Sequence, residues 1–169
     1  LKDNDPLYDI IILPLKQNQM PEILNTFHLS YDISVLATDT LALEINKNSA
    51  YSLSRTVSEK DLFKANIVFM AQENAKESSF VAQFIDVSKF KKTVQTGNHW
   101  LYDSYIIDHD YIGFTFKKMR SASISSDSSI IVKSLSKSYK FDYVLAVKKN
   151  ACAPCLAFSN KLKSSKFFI

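Results

Sequence analysis

The hydrophobic and polar positions divide the first two thirds of the chain into alternating strand and helix patterns. Residues 8–13 form a continuous apolar, β-branched run, the pattern of a strand covered on both faces, and Pro14 is expected to end it. Residues 19–28 follow as a predicted helix, with Pro21 in its first turn and Met20, Ile23, Leu24 and Phe27 on one stripe. Residues 31–38 alternate as a second strand, and residues 41–45 read as a third strand or the other arm of a hairpin. Residues 46–58 are polar and irregular, a loop insertion, with a short helical turn at residues 61–64 capped by Ser58. A buried strand is expected at residues 65–71. A helix over residues 74–85 should then turn Phe80, Val81, Phe84 and Ile85 inward.

The next stretch is the most distinctive. A β-prone run at residues 92–96 meets a break at Gly97-Asn98. Trp100, Leu101, Ser104 and Ile107 then recur at helical spacing. Asn98 suits the N-cap, because its side chain can accept a bond from an unpaired first-turn amide. Trp100, the single tryptophan, is expected to be the core anchor of that helix, with Leu101 and Ser104 beside it.

A strand, a short break and then Trp100, Leu101, Asp103 and Ser104 resemble the closing strand and third helix of a BRCT domain. The signature of that family is Trp, two or three variable residues, then Cys or Ser. The preceding β-α-β-(β)-β-α-β-α order extends the resemblance over residues 8–111. The resemblance implies a small, mainly parallel sheet of four or five strands flanked by helices, within residues 1–112. It also implies a noncatalytic scaffold or adaptor of a nuclear genome-maintenance, DNA-repair or chromatin protein, docking peptide segments of nuclear partners. The chain departs from the family at its first helix, where His28-Leu29-Ser30 stands in place of a Gly-Gly turn. Phosphopeptide recognition in the family uses donors after the first strand and a Lys at the second helix. The corresponding positions here are Lys16 and Lys76, and the usual Ser/Thr-Gly is replaced by Pro14-Leu15-Lys16.

Composition changes the picture after residue 112. Residues 1–111 carry a net charge of −5 and residues 112–169 a net charge of +9. Nine serines between Ser121 and Ser138 mark residues 113–138 as a linker, interrupted by an apolar run at 130–132. With a second run at 141–147 that segment could form a hairpin, and residues 139–169 read as a basic C-terminal extension. Lys117, Lys118, Arg120, Lys148 and Lys149 are the candidate DNA contacts; the scarcity of arginine favours nonspecific backbone attraction over base reading. No run approaches the roughly 18 apolar residues that span a membrane. With Leu1 in place of Met, an excised fragment is the expectation.

Candidate chemistry is sparse. Two glycines, Gly97 and Gly113, cannot build a Rossmann fingerprint or a P-loop, so no nucleotide cofactor is expected. Cys152-Ala153-Pro154-Cys155 follows a strand-like run and precedes a possible helix, which resembles the motif of thiol-disulfide redox proteins. Too few residues follow for a thioredoxin-like domain, and two incidental cysteines are the plainer reading. Zinc would need further Cys or His ligands, and His28, His99 and His109 lack ligand spacing, so no metal is expected. No nucleophile-base pairing stands out, and enzymatic activity is not expected.

Overall fold

The computed structural model describes residues 8–70, 80–125 and 128–165. The chain gathers into two compact units: unit 1 comprises residues 1–39 and 140–169, and unit 2 residues 40–139. The expected boundary after residue 112 therefore falls inside unit 2.

Unit 1 is made from both ends of the chain. Strand β1 (Ile10–Lys16) runs antiparallel to β8 (Lys140–Lys148), with Ile10 opposite Val147 and Lys16 opposite Phe141. Strand β2 (Tyr31–Asn46) lies on the other side of β8, and its first half belongs to this unit. Pro14 does not end β1. The Lys148 amide donates to the Asp9 carbonyl at 2.8 Å. Counting alternately from that bonded pair puts Pro14 in a non-bonded position, where its missing N–H would have faced away from β8. Helix α1 (Met20–Phe27) connects β1 to β2, and Phe27 meets Tyr31 edge-on at 5.7 Å. Helix α5 (Ala153–Lys163) follows β8.

The second strand and the expected third strand or hairpin arm are one: β2 runs unbroken for sixteen residues. Its second half enters unit 2, where Leu41–Ile45 are buried on both faces. There it pairs antiparallel with β6 (Ile112–Phe116) and β7 (Ile130–Leu135). Strand β4 (Asn66–Met70) lies parallel to both β6 and β5 (Lys92–Thr96). The two-residue strand β3 (Thr56–Val57) is parallel to β7. The architecture is thus eight strands of mixed direction, which corrects the expected BRCT-like parallel sheet of four or five. The side-chain period of two is the same in a strand with parallel or antiparallel neighbours, so that period could not separate them.

Strand alternation sorts unit 2 into two faces. Leu41, Leu43, Ile45, Ile67, Phe69 and Ile112 meet on one face with Val81, Ile85 and Phe90, and Phe69 stacks on Phe114 at 5.7 Å. On the other face Val68 packs with Tyr102 and Ile106 of helix α3 (His99–His109). Asn98 caps α3 as expected, accepting from the amides of Trp100 (2.8 Å) and Leu101 (3.4 Å). Ser58 likewise caps α2 (Glu59–Leu62). The first half of the expected helix over 74–85 lies outside the described residues; in the second half Phe80–Gln83 form a 3-10 turn instead.

The expected anchor is on the wrong side. Trp100 is 85% exposed and Leu101 53% exposed, while Ser104 is half-buried and donates to Asp108 at 2.7 Å. Residues 100 and 102 point about 200° apart on a helix, so seating Tyr102 and Ile106 turns the indole outward. The Ser-rich stretch is not a linker: residues 113–138 hold most of β6, helix α4 (Lys117–Ser123) and β7. Nor do β7 and β8 form a hairpin, since β7 joins β2 and β3 while β8 joins β1 and β2. Among the described residues, no helix is long and apolar enough to cross a membrane.

Candidate functional site

Two polar constellations stand out, one in each unit. In unit 2, Ala42 and Glu44 occupy the face of β2 opposite Leu43 and Ile45, so the Glu44 carboxylate lies beneath α3 and α4. It is 4% exposed. Its Oε2 accepts from the Tyr102 hydroxyl at 2.7 Å, and its Oε1 accepts from Arg120 Nε of α4. A buried carboxylate without such partners would cost several kcal/mol, about 3 or more. Burial, then the Glu44 charge, holds the Tyr102 hydroxyl well above the usual tyrosine range. The same hydroxyl also reaches the Phe114 carbonyl at 3.3 Å.

Gly113 makes this arrangement possible. A Cβ there would collide with the Tyr102 hydroxyl and stand 2.6 Å from its Cζ. Asn46 fixes the far end of α3, donating to the Ile107 carbonyl at 2.7 Å. Asp110 closes the helix in the left-handed region (φ 53°). This network is structural in character: its groups are satisfied by one another. The signal for it was an acidic residue inside the apolar run of residues 41–45, facing the element that carries one of the two glycines.

In unit 1, the end of β8 is tied to the start of β1 through the Lys148–Asp9 bond. A turn closed by Ala151 N to Lys148 O (2.9 Å) then delivers Cys152 as the N-cap of α5. The motif therefore sits at a strand-to-helix junction, as expected. Cys152 Sγ donates to Cys155 Sγ at 3.1 Å, and Cys155 Sγ donates to Asp9 Oδ2 at 3.7 Å. Both cysteines are free thiols. The bond with Cys152, then burial and the charge of Asp9, push the Cys155 thiol up to about 11. Redox thiols need the opposite, a cationic neighbourhood that stabilises thiolate, so the surroundings argue against the thiol-disulfide reading.

The other expected site residues do not assemble. Lys16 ends β1 and its amide donates to Gln19 Oε1 at 3.2 Å, while Lys76 lies outside the described residues. The candidate DNA contacts are divided between the units: Lys117, Lys118 and Arg120 on α4, Lys148 ending β8 and Lys149 just after it. Arg120 is engaged with Glu44, and Lys133 and Lys137 are turned to the Ser54 carbonyl and to Glu59. The positive charge of the last third is thus dispersed over the fold rather than gathered in a basic tail.

No family model matches the chain, and no curated protein does. Solved structures do match in fold. The reduced OxyR regulatory domain of Pseudomonas aeruginosa superposes with a TM-score of 0.62 at 10% identity, covering 92% of this chain and 70% of that one. The regulatory domain of MetR, a LysR family regulator from N. meningitidis, gives 0.62 at 7% identity, with coverage of 92% and 68%. The Synechocystis PCC6803 CcmR regulatory domain, in complex with 2-PG, gives 0.65 at 10% identity, with coverage of 94% and 73%. The fold is that of LysR-type regulatory domains, and the BRCT resemblance is overturned. With it fall the nuclear scaffold or adaptor function, the peptide partners, the DNA-repair and chromatin roles and the nuclear location. All of these rested on that resemblance, and the matched proteins come from organisms without a nucleus. Neither the redox nor the nucleic-acid alternative is matched well by these structures.

Proposed function

We propose that the chain is the effector-sensing regulatory domain of a LysR-type transcriptional regulator, a noncatalytic module whose partner is a small molecule. The observation that carries this reading is the fold itself: two units, one contiguous and one assembled from both chain ends, matched over more than nine tenths of the chain. Two of the matched structures are described as ligand modules, the CcmR domain in complex with 2-PG and the effector binding domain of a BenM variant.

A thermal-shift screen of small metabolites tests the proposal. Carboxylates and phosphate esters come first because the chain carries a net charge of +4. A true effector at a hundred times its Kd adds about 2.7 kcal/mol. For a chain of this size that raises Tm by roughly 5–11 °C. One chemical class should produce that shift saturably. Turnover of a hit compound by the purified chain would overturn the noncatalytic reading, and a flat response across the set would overturn the effector reading.

A further inference from the structure

We infer that Asp9, Cys152 and Cys155 form a binding site for a thiophilic divalent cation of the zinc type. Their ligating atoms lie within 4.8 Å of one another, and among the described residues no other group of three or more such side chains comes so close. The inference is independent of the effector reading and concerns unit 1 alone.

The geometry suits a tetrahedral ion. Bonds of about 2.3 Å to sulfur and about 2.0 Å to oxygen place two sulfurs about 3.8 Å apart, and sulfur and oxygen about 3.5 Å apart. The observed separations are 3.1 Å between the sulfurs and 3.7 Å from Cys155 Sγ to Asp9 Oδ2. The frame that carries the donors is already fixed. Asp9 is held by the Lys148 amide, and the turn after Lys148 leads into the helix that spaces the cysteines one turn apart. Two thiolates and a carboxylate would place three negative charges around the ion. The positive end of the eleven-residue α5, which starts directly after Cys152, offsets part of that excess.

Asp9 adds a hard oxygen donor to the two sulfurs and completes a three-ligand set with the fourth position open to solvent. Local sequence spacing could not reveal this, because the third ligand lies 146 residues from Cys155.

The test uses the tag-free full chain, fully reduced under anaerobic conditions. Titration with Co2+ should give thiolate-to-cobalt charge-transfer absorption that saturates at one equivalent and is displaced by Zn2+. Competition against a chromophoric chelator should show Zn2+ binding weakened at least about a hundredfold in Cys152→Ser and in Cys155→Ser, and at least about tenfold in the near-isosteric Asp9→Asn. Circular dichroism melts of the metal-free variants confirm folding; these side chains are exposed or half-buried, so melts should match the parent. Absence of the charge-transfer band would overturn the inference. So would binding that survives replacement of both cysteines, or Asp9→Asn binding as tightly as the parent.

Discussion

The two units reach stability by different routes. Unit 2 is contiguous in sequence and layered: an apolar and aromatic face beneath β2, β4 and β6, and a second face sealed by α3 and α4 over a buried carboxylate. Unit 1 depends on a pairing between residues 10–16 and 141–147, and it leaves Ile12, Leu29, Val35, Leu156 and Phe158 substantially exposed. The lesson is that a unit closed by chain ends draws its register from long-range ladder bonds, whereas a contiguous one can draw it from side-chain sorting. Unit 1 cannot form until both ends are present, and its loop-closure cost makes it the slower to assemble.

The largest expected effect breaks unit 2. Glu44→Ala removes the buried carboxylate that accepts from both Arg120 and the Tyr102 hydroxyl. It should cost about 3 kcal/mol, the low end for a broken buried pair, because the Arg120 side chain is 34% exposed and partly screened. Denaturant titration followed by tryptophan-independent circular dichroism reads that loss directly. A loss under about 1 kcal/mol would mean that the carboxylate is not the keystone of this face.

Next comes Gly113→Ala, which drives a methyl group against the Tyr102 ring. About 1–3 kcal/mol is expected for such overpacking. Tyr102→Phe removes the colliding hydroxyl, so the double variant should be less destabilised than the two single losses together. Additivity in that cycle would separate the two residues.

A pH dependence sharpens the same point. The Tyr102 hydroxyl is held above its ordinary value of 10.0 in the folded chain. Its protonated form therefore contributes stability that is complete below that value and is lost as pH rises through it towards the folded pKa. Above pH about 10, the parent should lose stability more steeply than Tyr102→Phe. Parallel curves would place the hydroxyl in ordinary solvent.

The smallest effect is Trp100→Ala, within about 0.5 kcal/mol, because its ring is exposed. A loss of several kcal/mol would restore the indole to the core.

Much of the local structure was legible in the sequence. The strands at 66–70 and 92–96, the caps Ser58 and Asn98, and a helix through Leu156, Ala157, Phe158 and Leu162 follow from side-chain periodicity and hydrogen bonding within a few residues. What was not legible depends on partners far along the chain. Nothing near Ile10 specifies Val147, and nothing near Cys155 specifies Asp9. The face of α3 was misread because bulk favoured Trp100, while the space above Gly113 selects Tyr102. The buried Glu44 could have been suspected from its apolar neighbours, but its partner Arg120 was counted among solvent-facing cations.

The pairing of the two chain ends carries both the fold assignment and the function built on it. Cross-strand nuclear Overhauser contacts in an isotope-labelled sample test it most directly. Contacts linking residues 10–16 to residues 141–147 in antiparallel register are the expected result. Contacts from residues 10–16 to a parallel strand within residues 31–96, with residues 141–147 unattached, would contradict it.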